Sequence, residues 1–294
     1  MQASILIVTK NRKNELEITL KVLARQIDLS IHEVLVFLDG CTDDTVTLKS
    51  NMPWVKWFSS EKSIGASAAR NSLYLHAKGM FFIGLDDDAH PLNEDFVFKI
   101  ETLFNKYPNV GVLAFEEIKG VYSSDNEVLN QAEKEKKEFL SSEFIGCGFA
   151  IRKSVYNETN GFPVWVDIYG EESCLSIEVL ANGYDILYSN EIKVNHRVDR
   201  EQRKANKQNY FRFEKQLKNS TYYYLVYYPF PVLRILKLYW HNFKKYALSD
   251  FKYCRIYFKT IFTVLLHVPK ILKHRDPVDK RVIVKIKNLS NLKF

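Results

Sequence analysis

Strand-like and helix-like patterns alternate through the first 100 residues, and that alternation leaves this chain few folds to choose from. "ASILIVTK" (3–10) is a β-branched apolar run ending in polar residues, and "HEVLVFLDG" (32–40) is a second run ending at Asp39. "VKWFSS" (55–60) and "MFFIGLDDD" (80–88) supply a third and a fourth. Runs apolar at nearly every position need cover on both faces, which parallel strands receive from crossover helices. The intervening segments have that character. "NELEITLKVLARQI" (14–27) places Leu16, Leu20, Leu23, Ala24 and Ile27 at helical spacing. "TDDTVTLKSN" (42–51) opens like a helix with Thr42 as N-cap, and "GASAARNSLYLHAKG" (65–79) reads as a helix closed by Gly79. The fold class expected is α/β with a mostly parallel sheet, ligands gathering at the carboxyl ends of its strands.

Beyond Pro91 the pattern continues less regularly. A helix is expected over 94–108, a strand over 110–118, and a loop or solvated helix over the charged stretch 126–142. A strand and short helix fit 143–163, and a helix stopped at Gly183 followed by a strand fits 171–189. From about 200 the chain turns helical, aromatic and basic. Residues 1–199 carry 20 Lys and Arg against 30 Asp and Glu, whereas residues 200–294 carry 22 against 5. The halves therefore face different partners. Cys41, Cys147, Cys174 and Cys254 are too scattered for a metal knuckle or a disulfide scaffold and read as free thiols in a reducing cytoplasm. The N-terminal apolar run is too short for a signal peptide, and no uninterrupted apolar stretch reaches the roughly 20 residues of a spanning helix.

"FFIGLDDDAH" (81–90) drives an apolar strand straight into three consecutive carboxylates. A helix cap or solvated turn explains most aspartate clusters. This one follows a buried strand at the sheet edge where ligands bind. Adjacent carboxylates repel, and a hard divalent ion, Mg2+ or Mn2+, shared with substrate phosphates would relieve that repulsion.

"SILIVTKNR", "VLVFLDGCTDDT", "GASAARN", "FFIGLDDD" and "YGEESCL", in this order and spacing, resemble the family 2 nucleotide-sugar glycosyltransferases over residues 1 to about 198. The resemblance implies a GT-A fold, a Rossmann-like sheet with an aspartate-x-aspartate metal motif, and inverting sugar transfer. On this likeness Thr9, Asn11 and Arg12 line the nucleotide pocket, Asp39 meets the base or ribose, and Arg70 and Asn71 shape the pocket beside it. Asp86 faces the ribose with Asp87 next to it, while Asp88 holds the metal, with His196 of "EIKVNHRV" as a further metal or diphosphate ligand. The family's Glu-Asp pair at a helix start corresponds to "YGEES", so Glu172 stands at the base position with Glu171 as its substitute. Trp165 and Tyr169 are expected on the acceptor side through sugar stacking, and Arg152 through its match to the family's acceptor segment. Departures are Leu38 in a usually acidic slot, Glu172 for aspartate, and Cys174 and Glu178 farther along.

The expected organisation is a catalytic domain over 1–199, with a nucleotide-sugar half to about 100 and an acceptor half beyond it, and an extension over 200–294. That extension interleaves Tyr, Phe and Trp with Lys and Arg in "YYYLVYYPFPVLRILKLYW" (222–240) and "CRIYFKTIFTVLLHVPKILKHR" (254–275). Such interleaving suits either a packed helical subdomain or an anionic membrane surface. The expected partners are a nucleotide-sugar, UDP-linked in the first instance, and a glycan or lipid-linked acceptor at the cytoplasmic face of the membrane. A basic nucleic-acid module is the competing class; it lacks a groove-reading or single-strand motif, and no nucleic acid is expected. A relative that binds nucleotide-sugar without transferring it is the other alternative.

Overall fold

The computed structural model describes residues 1–198 and 208–292. The boundary expected between body and extension, at 199–200, lies outside the described residues. Among the described residues nine strands, numbered in chain order with β5 at Ala89–Pro91 and β7 at Glu138–Ser141, form one sheet in the order β3-β2-β1-β4-β8-β6-β9-β5, with β7 pairing β9. Strands β1 (Ala3–Thr9), β2 (His32–Asp39), β3 (Lys56–Ser60) and β4 (Phe81–Asp86) are mutually parallel. Strand β8 (Gly148–Arg152) runs antiparallel to β4 and to β6 (Val110–Lys119), and β6 pairs parallel with β9 (Asp185–His196). The parallel character is therefore confined to the N-terminal half and the β6–β9 pair, and the sheet as a whole is mixed.

Side-chain alternation fills both faces. Ile5, Ile7, Val34 and Val36 meet Leu16, Leu20 and Leu23 of α1 (Lys13–Gln26) and Phe96, Ile100 and Phe104 of α4 (Phe96–Lys106). Leu6, Leu35 and Phe37, offset by one residue, face Ala69 and Leu73 of α3 (Ala66–Tyr74) and Leu175 and Val179 of α7 (Glu171–Ala181). A strand with apolar residues at both parities can be buried on both sides.

Three local expectations are corrected. In 42–51, Asp43 rather than Thr42 caps the turn by accepting from the Thr45 amide, and a 3-10 turn over Asp44–Thr47 precedes the short α2 (Leu48–Asn51). Helix α3 stops at Tyr74, well before Gly79, because the chain must turn back into β4: the Gly79 backbone lies against Ser4 and Ala3, where a Cβ would come within 2.4 Å of the Ser4 amide nitrogen. The charged 126–142 stretch holds α5 (Asp125–Asn130) and a short strand, β7 (Glu138–Ser141), antiparallel to β9. The short α6 (Lys153–Asn157) directly follows β8.

Among the described residues the C-terminal extension contains the helices α8 (Gln208–Tyr227), α9 (Val232–Asn242), α10 (Phe251–Ile271) and α11 (Lys280–Asn288). It shares a core with the body: Tyr222, Val226 and Tyr227 pack on Val166, Cys174 and Ile177. Leu289 and Leu292 close back onto the sheet's α7 side, and Ser290 bridges Ser141. Among the described residues no helix is long and apolar enough to cross a membrane.

Candidate active site

The carboxyl ends of β1, β2 and β4 bring Thr9, Asp39 and Asp86 to one edge, because the register sets Val8 beside Asp86 and Thr9 beside Leu38. After Asp86 the chain turns and enters β5 (Ala89–Pro91), which pairs antiparallel with β9 so that Ala89 sits opposite His196. That pairing delivers His196 to the aspartates. Its Nε2 lies 3.2 Å from Asp88 Oδ1 and 4.0 Å from Asp86 Oδ2.

Each aspartate has its own surroundings. Asp87 is buried, accepting from Thr9 Oγ1 at 2.7 Å and lying 3.3 Å from Arg12 Nε. Burial pushes its carboxyl up to about 7 despite Arg12. Asp88 is also buried, and burial works in the same direction, but His196 and Arg12 (Nη2 at 2.7 Å) hold it well below the usual carboxylate range. Burial alone would lower His196, whereas its contacts with Asp88, Cys147 and Glu117 push it up to about 12. Arg197 fastens the turn from behind: its amide donates to Asp88 O at 2.9 Å, and its guanidinium reaches Glu15, Thr19 and the Asp87 carbonyl.

Asp86, the most exposed of the three, opens onto a second cluster. Arg70 of α3 donates to Asp86 Oδ1 at 2.6 Å, Glu171 Oε1 at 3.2 Å and Glu172 Oε1 at 3.1 Å. The three carboxylates raise the Arg70 guanidinium against the opposing effect of burial. One guanidinium cannot neutralise three carboxylates, so the most buried keeps a proton most readily. That is Glu171, pushed up to about 8 by burial and by Glu172 beside it. Glu172 is more open, with 21% of its side chain exposed against 4% for Glu171.

The other expected residues are dispersed around these clusters. Asn11, at φ +54°, clasps the loop after β2 through Thr42, accepting from its amide at 2.8 Å and donating to its hydroxyl at 3.1 Å. The Asp39 carboxylate accepts from Ser63 Oγ, the Ile64 amide and the Gly65 amide, so it holds the turn entering α3. Asn71 points at Gly161, where a Cβ would come within 2.7 Å of its Oδ1. Tyr169 stands beside Phe211 and under the Arg212 guanidinium, 5.3 Å from its ring centre. The acceptor-side expectation for Arg152 is corrected. Arg152 lies at the opposite end of the sheet, paired with Phe81 at the start of β4, and donates to the carbonyls of Val110 and Phe104. Trp165 packs against Tyr227 and His274 of the extension.

Sequence reasoning missed Glu117 and Cys147. Glu117 Oε1 lies 2.5 Å from His196 Nδ1, and the contact spans 79 residues of sequence with no local pattern to betray it. Arg12 was legible as a basic residue after β1 but not as the counter-charge of Asp87 and Asp88. As a donor set, one ligand atom each from Asp86, Asp88 and His196 lies within 4.8 Å of the others, as in the overlapping group Glu117, Cys147 and His196. Two carboxylates and an imidazole suit Mn2+ or Mg2+ better than a soft metal.

The family model described as Glycosyl transferase family 2 matches residues 4–159, more than half of the chain. The chain belongs to glycosyl transferase family 2. The match spans the sheet edge with Thr9, Asp39, Arg70 and the three aspartates and ends before α7. No curated protein sequence matches this family 2 member directly. Solved structures place its fold among GT-A glycosyltransferases. S. aureus TarS 1–349 in complex with UDP-GlcNAc is 18% identical with a TM-score of 0.55, over 68% of this chain and 60% of that one. GalNAc-T7 with UDP, GalNAc and Mn2+ is 18% identical with a TM-score of 0.53, over 67% of this chain and 44% of that one. The mannosyltransferase PcManGT from Pyrobaculum calidifontis, in complex with GDP-Man and Mn2+, is 15% identical with a TM-score of 0.58, over 99% of this chain and 76% of that one. At these identities the likeness is one of fold. The family 2 chain spans 60% of the TarS 1–349 chain.

Proposed function

We propose that the protein is a metal-dependent inverting glycosyltransferase that moves a sugar from a nucleotide-sugar to a glycan or lipid-linked acceptor. The observation that carries this reading is the Arg70 bridge, which joins the aspartate at the metal cluster to the glutamate pair at the start of α7. Donor-side and base-side carboxylates are thereby joined by one side chain, with Asp86 and Glu172 both partly exposed. In the proposed reaction Glu172 takes the proton of the acceptor hydroxyl, the hydroxyl oxygen bonds to the anomeric carbon, and the bond from that carbon to the nucleoside diphosphate breaks. Glu172 suits the base role better than Glu171, whose carboxyl holds its proton to about 8. Asp88 and His196, the latter giving up a ring proton as the ion binds, with Asp86 adjacent, would hold Mn2+ or Mg2+, which when bound supplies positive charge to the departing diphosphate. Thr9, Asn11 and Arg12 at the end of β1, and Asp86 and Asp87 after β4, form the donor side. Tyr169, three residues before Glu172, is assigned to the acceptor side. A UDP-linked donor is the first choice, supported by the UDP and UDP-GlcNAc bound in structures of like fold.

The acceptor is proposed to sit at an anionic membrane surface reached through the extension. Leu233, Leu236 and Trp240 of α9 and Phe258, Phe262, Leu265 and Leu266 of α10 are each more than half exposed. Lys237 and Lys244 accompany the α9 row. Self-association of so basic an extension would set like charges against one another, whereas anionic headgroups complement it. Nucleotide-sugars tested by thermal shift with and without Mn2+ check the donor half. A stabilisation that needs both UDP-sugar and Mn2+ is expected, and identical melting in all combinations would contradict it.

A further inference from the structure

The corner that launches α7 is held from outside the catalytic body. Two consecutive residues before Glu171 adopt left-handed backbone, Tyr169 at φ +68° and Gly170 at φ +106°. For tyrosine that conformation is strained, and Gly170, as helix cap, has no side chain with which to stabilise it. The support comes from α8. Asn219, 2% exposed, directs its Nδ2 at the Ile168 carbonyl (2.7 Å), the Tyr169 carbonyl (2.9 Å) and Asp167 Oδ1 (3.2 Å). Its own Oδ1 is buried without a hydrogen-bond partner among the described residues, a cost that an apolar residue would avoid. Lys215 and Lys218, also on α8, both pair with Asp167 Oδ2. On its other side Asp167 touches the start of α3: its carbonyl receives the Ser67 amide at 3.4 Å, and a Cβ on Gly65 would come within 3.1 Å of it. The loop is thus clamped between the helix that carries Arg70 and α8 of the extension.

We propose that Asn219 is a positioning residue for the catalytic base, fixing the left-handed corner from which Glu172 projects toward Arg70 and Asp86. Helix α8 is then part of the active site's construction. The inference rests on the reading of Glu172 as the base, and three variants separate the two. Asn219→Ala removes the amide, Asn219→Ser keeps a single donor, and Glu172→Gln removes the base itself. Each is measured for turnover by nucleoside diphosphate release from a UDP-sugar, and for donor-side binding by the thermal shift that UDP and Mn2+ produce. The expected result is a fall in kcat of roughly 10- to 100-fold for Asn219→Ala, an intermediate fall for Asn219→Ser, and a UDP and Mn2+ shift equal to wild type in both. Unchanged kcat in a folded Asn219→Ala, or kcat and UDP binding lost in proportion, overturns the proposal; should the alanine variant not fold, the serine variant decides on the same criteria. Turnover lost in Glu172→Gln but kept in Asn219→Ala removes only the positioning role. Full turnover in Glu172→Gln removes the base reading on which it rests.

Discussion

Around Arg70 a single positive charge faces Asp86, Glu171 and Glu172, and the imbalance sets the chemistry of each. Glu171 has an unfolded value near 4.5 and a folded value of about 8. A carboxyl raised on folding contributes stability that is fully present below its unfolded pKa and is lost as pH rises through its folded pKa. The wild-type Tm should therefore fall more steeply than that of Glu171→Gln between about pH 5 and about pH 8; parallel curves would show that Glu171 carries no proton to lose. The aspartate triplet follows the same logic of local compensation. Thr9 and Arg12 serve Asp87, and Arg12 and His196 serve Asp88. The crowding was legible in the sequence as three adjacent carboxylates. Its protein-side relief was not, because His196 and Glu117 come from strands far along the chain and meet the triplet only through the sheet's register.

At the scale of elements, β1, β2 and β4 were legible because apolar residues at both parities admit only a strand covered on both faces. The ends of helices were less so. Helix α3 ends early because the close approach of Gly79 to β1 forces the chain out of the helix, and β7 exists through its pairing with β9 rather than through its own composition. The bend between β7 and β8 offers a sharper test of the site. A Cβ on Gly146 would come within 2.2 Å of Glu172 Oε1 and 3.1 Å of both terminal nitrogens of Arg70. These are ends of flexible side chains, so Gly146→Ala should fold and displace them. Turnover is expected to fall roughly 10-fold or more, with Tm within a few degrees of wild type. Wild-type turnover in Gly146→Ala would place the base elsewhere.

For the whole molecule, the split between an acidic body and a basic extension was evident from charge counts alone. The counts did not show that the two share a core, with Tyr227 donating to Glu178 and α8 gripping Asp167. The extension is thus joined to the body through specific side chains while its outer helix faces remain open. Sedimentation with anionic phosphatidylglycerol vesicles should carry the protein down, weakening as salt rises, whereas neutral phosphatidylcholine vesicles should carry much less. Replacing Leu236, Trp240, Phe258 and Phe262 with serine should abolish the anionic binding without changing turnover of a soluble acceptor. Equal recovery with both vesicle types would argue against an electrostatic contribution.

In the proposed reaction the Asp88 and His196 cluster serves a metal-dependent sugar transfer. Nucleoside diphosphate release from a UDP-sugar, measured with Mn2+ and with EDTA for wild type and Asp88→Ala, tests it most directly. Release is expected from wild type with Mn2+ only, and none above background from an Asp88→Ala variant whose circular dichroism matches wild type. Release by folded Asp88→Ala at the wild-type rate, or by wild type in EDTA, would contradict it.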